Sequence, residues 1–146
     1  MNDIVTTART WTSTPYHHQA RRKGVGVDCA GLVIGVAREL HMVPPDFDIT
    51  GYARQPDGVS FMAWCNAHMT PVTQADMAPG HAVVVHFGSH PQHIGIVGDY
   101  LHGGLSIIHA LAGRGVVETR LLLSSNMKFV AAFALPEQLT EAAWRS

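Results

Sequence analysis

At 146 residues, with 47% hydrophobic and 14% charged residues, the chain is long enough to bury its own core and too apolar for a disordered or solvating segment. A formal net charge of −1 without a basic run excludes a phosphate track for nucleic acid, and no stretch approaches the roughly 18 apolar residues of a membrane span. The length predicts a single domain over residues 1–146, and two cysteines, Cys29 and Cys65, predict free thiols rather than a disulfide framework.

Met1 to Thr6 has neither a positive n-region nor an apolar h-region, so the expectation is cytoplasmic synthesis without a signal peptide. Asp3 to Trp11 reads as a short first helix, broken by Thr12-Ser13-Thr14-Pro15-Tyr16 and followed by a polar, glycine-containing loop to Val27. Arg21-Arg22-Lys23, the one basic cluster, falls in that loop and reads as solvated. From Asp28 to His41 the pattern is helical, with Asp28 as N-cap and Leu32, Val33, Val36, Ala37 and Leu40 at three- and four-residue spacing. Gly31 and Gly35 share one face of this helix, which predicts that the backbone of another element packs closely there. Pro44-Pro45 ends the section, a polar stretch runs to Gly58, and a shorter helix is predicted over Val59 to His68. The second half changes character. His81–Phe87, His93–Gly98, Leu105–Ala110, Gly115–Leu121 and Lys128–Leu135 are runs rich in Val, Ile and Phe between turn residues, and read as strands. Pro136 closes the last of them before a tail helix or frayed end over Glu137 to Arg145. Helices followed by strands predict an α+β domain, with the Asp28–His41 helix packed on an antiparallel five-stranded sheet.

Cys29 is the first residue inside that helix, where unpaired backbone N–H groups and the positive end of the macrodipole favour a thiolate and can hold an oxyanion. Most free cysteines are small buried hydrophobes, and Cys65, within Phe61-Met62-Ala63-Trp64-Cys65, is read as one. Cys29 differs from it in its cap and in the glycines of Gly24-Val25-Gly26 just upstream.

A nucleophilic cysteine needs an imidazole as base and a third group to orient the ring. Ten histidines leave the choice open by counting alone. A five-residue hairpin loop over Asp99 to Gly103, centred on Leu101, sets His93 directly opposite His109, with Cβ atoms roughly 5 Å apart on one face. His93 is then the candidate base and His109 its orienter, with Gly95 keeping the same face clear; the rival reading is two ordinary strand histidines satisfied by backbone or water. Metal binding is the competing use of so many histidines, but no HExxH or paired-cysteine signature occurs, and Phe87 stands where the glutamate would follow His86. No metal and no cofactor is expected.

Thr14-Pro15-Tyr16, Gly26-Val27-Asp28-Cys29-Ala30-Gly31-Leu32-Val33, His93-Ile94-Gly95-Ile96-Val97 and Ile108-His109-Ala110 together resemble, in order, the motifs of the NlpC/p60-type cell-wall cysteine peptidases. The resemblance implies a papain-like fold and hydrolysis of the peptide stems of peptidoglycan, typically between D-glutamate and a diamino acid. It implies Cys29 as nucleophile, His93 as base and His109 as third polar residue, with Tyr16, Asp28 and Ala30 at substrate-facing positions. Asp28 is expected to accept a peptide's amino group while capping the helix. Ala30 stands where the family commonly has Ser, and Pro79-Gly80-His81 where it has Pro-Gly-Asp. The Thr14-to-Gln19 stretch with His17-His18 is most similar to members encoded with phage tails and gene transfer agents, implying tail-tip or baseplate partners and action at the cell wall. Three other readings stay open: a non-catalytic tail protein of the same fold, a cysteine amidase or acyltransferase, and a metal hydrolase.

Overall fold

Local patterning and long-range pairing divide the work of building this chain. The computed structural model describes residues 3–48, 59–88, 90–124 and 126–145, so most of the polar stretch leading to Gly58 lies outside the described residues. The helices are α1 (Asp3–Arg9), α2 (Cys29–Glu39), α3 (Val59–His68) and α4 (Glu141–Arg145); the strands are β1 (Arg21–Arg22), β2 (Gly26–Val27), β3 (Thr70–Val72), β4 (Ala82–Phe87), β5 (His90–Asp99), β6 (Leu105–Leu111), β7 (Gly115–Arg120) and β8 (Met127–Ala134). The second half forms one antiparallel sheet in the order β3-β8-β4-β5-β6-β7. It has six strands where the sequence predicted five. The addition, Thr70-Pro71-Val72, is a three-residue edge strand, and its proline is tolerated because an edge position spares it a ladder hydrogen bond. The polar loop before α2 is not wholly irregular either, since β1 and β2 pair within it.

Alternation along β5 assigns its two faces. Ile94 and Ile96 point toward α2 and join Leu32, Val33, Val36, Ala82, Val84, Ile108 and Phe133 in the main core; Val97 points the other way, with Val83, Val85, Ile107 and Met127. Ile94, Ile96 and Ile108 are wholly buried, each contributing roughly 1.5–3 kcal/mol by leaving water. Helix α2 therefore lies across β5 and β6, and α1 packs on α2 and β5.

Both helix glycines admit close neighbours, though of different kinds. A Cβ on Gly31 would stand 2.5 Å from the Ala20 carbonyl oxygen, a backbone approach as expected, whereas Gly35 is covered by the indole ring of Trp11. Helix α1 stops at Arg9, before Trp11, and the freed indole lies along α2 with its Nε1 donating to Glu39 Oε1 at 2.8 Å. Arg9 holds α1 to the far sheet strands by forking onto Glu118 at 2.9 Å, which keeps that carboxyl below its usual range.

Candidate active site

The N-terminus of α2 is fastened from both sides. Asp28 caps it, Oδ1 accepting the Gly31 N–H at 2.8 Å. The same oxygen accepts Arg21 Nη1 at 2.9 Å, and Oδ2 accepts the Gln19 N–H at 2.7 Å. Arg21 in turn donates from Nε to Asp48 Oδ1 at 2.8 Å. The sequence reading of Arg21 as a solvated loop residue is therefore corrected: its side chain is nearly buried and joins two carboxylates. The strand-like Thr14-Pro15-Tyr16 segment completes the frame. Val27 N donates to Pro15 O, His17 N donates to Val27 O, and Tyr16 bridges Val27 two residues before the thiol.

Cys29 is half-buried at the first position of α2. Burial and then the adjacent Asp28 carboxylate push its thiol up to about 11, against the backbone N–H groups of Ile94, Ala30 and Cys29 itself, which favour the thiolate. The helix start alone does not ionise this thiol, contrary to the simple dipole expectation, because burial disfavours the thiolate and the residue that caps the helix adds a negative charge beside it. The Ile94 N–H at the sulfur places Cys29 against β5 one residue from His93. Cys65 is fully buried in the core, as its context indicated.

His93 and His109 are brought together, by a register different from the one expected. Ile96 pairs Ile108 and Asp99 pairs Leu105, so the loop runs over Tyr100 to Gly104 and Tyr100 N donates to Gly104 O. Continuing that register sets His109 across from Gly95 and one diagonal step from His93. The pairing is two residues from the predicted one, which preserves the face. His93 Nε2 and His109 Nδ1 lie 2.9 Å apart, with the Phe87 ring against both imidazoles. Gly95 does not leave the face clear: a Cβ there would meet Ile107 Cγ1 at 2.6 Å and the Ile108 carbonyl oxygen at 2.9 Å. Burial, reinforced by the positive charge of Arg114, lowers His109 to about 4, so it is neutral across the physiological range. Its Nε2 lies 3.1 Å from Thr119 Oγ1, a contact the sequence reading missed. The signal was there in the alternation of β7, which puts a hydroxyl two residues from Val117, the residue opposite His109.

The expected substrate-facing residues separate. Tyr16 is half-buried at the core edge, whereas Ala30 is wholly inside the core. Asp28 is 1% exposed with its carboxylate committed to three internal donors, so capping and bracing are the roles its geometry displays. Among the described residues no group of three or more His, Cys, Asp or Glu side chains is placed to hold a metal ion, and no helix is long and apolar enough to cross a membrane.

No protein-family model and no curated protein matches this sequence. Solved structures do. The NlpC/p60 domain of the peptidoglycan hydrolase SagA superposes with a TM-score of 0.59 at 22% identity, over 91% of this chain and 97% of that one. A lipoprotein-like protein of the NLP/P60 family from Staphylococcus aureus gives a TM-score of 0.55 at 17% identity, over 93% of this chain and 41% of that longer one. The chain therefore has the papain-like NlpC/p60 fold.

Proposed function

We propose that this chain is a cysteine peptidase that hydrolyses the peptide stems of bacterial peptidoglycan, with Cys29 as nucleophile, His93 as base and His109 as its orienter. The observation that supports the reading is an NlpC/p60 fold in which the helix-starting thiol meets the Ile94 N–H, and His93, the preceding residue of β5, has its Nε2 2.9 Å from His109 Nδ1. That arrangement supports the following reaction. His93 Nε2 is engaged by His109, and in this reading Nδ1 is the nitrogen that takes the thiol proton. The sulfur attacks the scissile carbonyl, and the backbone N–H groups at the start of α2 hold the oxyanion. The imidazolium then protonates the departing amine, and water, deprotonated by the same nitrogen, releases the acyl group and restores the thiol. A thiol near 11 on its own makes this proton transfer the activating event.

The D-glutamyl to diamino acid bond is the proposed cleavage point, with Tyr16 beside the substrate, on the strength of the motif resemblance. The same resemblance supports a single peptidase domain over residues 1–146 that acts at the wall in a phage tail or gene transfer agent. Incubating wild type and Cys29→Ala with soluble muropeptides and identifying products by mass spectrometry tests the reaction and names the bond. Cut stems from the wild type alone are expected; intact stems from both, or cut stems from both, would overturn the proposal.

A further inference from the structure

His93, His109 and Thr119 lie on a diagonal across three adjacent strands, β5, β6 and β7. His109 pairs Val117 and, with the β5–β6 register continued past Ile96–Ile108, falls across from Gly95; its two ring nitrogens reach the diagonal neighbours instead: Nδ1 to His93 Nε2 at 2.9 Å and Nε2 to Thr119 Oγ1 at 3.1 Å. His109 is 1% exposed, and among the described residues it is faced by His93 from β5, the Phe87 ring from β4, Thr119 from β7, and the charge of Arg114 from the turn between β6 and β7.

A neutral imidazole has one N–H and one bare nitrogen, so the string can run in either of two directions. In one, Thr119 donates to His109 Nε2 and His109 Nδ1–H donates to His93 Nε2, which forces the His93 proton onto Nδ1, the nitrogen needed as base. In the other, His93 Nε2–H donates to a bare His109 Nδ1 and His109 Nε2–H donates to the Thr119 hydroxyl. The second alone fits a His93 that has taken a proton, because both its nitrogens then carry N–H. It requires an acceptor at the far end, since a buried N–H left without one is costly.

We propose that Thr119 is a positioning residue for the reaction above, its hydroxyl accepting the His109 Nε2–H so that His109 presents a bare Nδ1 to His93 and leaves His93 Nδ1 as the base. This rests on the cysteine-peptidase reading for its consequence, and on the 3.1 Å contact and the burial of His109 for its geometry. Thr119 acts through two rings and touches no reacting atom.

The test compares Thr119→Val, which keeps the shape and loses the hydroxyl, with Thr119→Ser, which keeps the hydroxyl. Two readouts are taken on the folded proteins: the pH profile of Cys29 alkylation by iodoacetamide, and the ring tautomer of His109 from long-range proton–nitrogen NMR. Wild type and Thr119→Ser are expected to hold the His109 proton on Nε2. Thr119→Val is expected to lose that preference, to alkylate about tenfold more slowly at neutral pH, and to shift its profile toward higher pH. A wild-type tautomer and profile in Thr119→Val, or a serine variant as impaired as the valine one, would overturn the proposal. His93→Ala separates the two levels: unchanged alkylation there would indict the peptidase reading, while the His109 tautomer still judges Thr119.

Discussion

The two sides of the candidate site are built by different means. The thiol side is local and charged: Asp28 caps the helix three residues from Gly31 and shares its carboxylate with Arg21, so Cys29 is fixed by neighbours close in sequence. The imidazole side is long-range and neutral: His93 and His109 meet only because β5 and β6 pair in one register, and burial keeps His109 uncharged. A charged frame holds a thiol whose proton burial retains, and a relay through the uncharged His109 is set to accept that proton. Position comes from the first side and activation from the second, so damage to the charged frame around Asp28 should read out as lost stability, and loss of the thiol itself as lost chemistry.

The largest effect sharpens that division on the chemical side. Cys29→Ala is expected to lower stem cleavage by about a thousandfold or more, while its unfolding free energy in urea stays within about 0.5 kcal/mol of wild type. The charged frame responds in the opposite sense. Asp28→Ala removes the cap and strands Arg21, and is expected to cost about 2–4 kcal/mol in urea unfolding; Asp28→Asn retains an acceptor for Gly31 and should recover about 1 kcal/mol of that.

Acid probes the relay through stability. The His109 value in the folded chain, about 4, lies below its ordinary 6.5, so the unfolded chain binds the proton first as pH falls. The stabilisation linked to the neutral ring is complete above pH 6.5 and is lost progressively between 6.5 and 4, to the extent of about 3 kcal/mol. In His109→Asn, urea titrations across that window should be flatter than wild type by about that amount. The smallest effect falls on the register itself. Gly95→Ala pushes on Ile107 and the Ile108 carbonyl and should cost about 1–3 kcal/mol, with displacement of the His109 ring resonances marking the strand shift.

The same contrast explains what was legible in the sequence. The α2 cap, the helix-starting cysteine and the close approach at Gly31 follow from residues within a few positions of one another, and each could be read directly. The face shared by His93 and His109 was also legible, because Ile94, Ile96 and Ile108 must all be buried and a one-residue slip would expose them. Their exact partners were not: a slip of two residues keeps every isoleucine inside, and turn chemistry alone did not separate a loop over Asp99–Gly103 from one over Tyr100–Gly104. Arg21 was misread because a short basic cluster looks the same whether solvated or folded onto Asp28, seven residues on, and Asp48, twenty-seven residues on. The edge strand at Thr70–Val72 was hidden by its proline, and Thr119 by lying two strands from His93.

The most direct measurement of the central pairing is the rate of iodoacetamide labelling at each cysteine, resolved by peptide mass spectrometry, in wild type and His93→Ala. Activation of Cys29 by His93 predicts rapid labelling of Cys29, slow labelling of the buried Cys65, and a loss of at least about tenfold at Cys29 when the imidazole is removed. Equal Cys29 rates with and without His93, in folded protein, would contradict it.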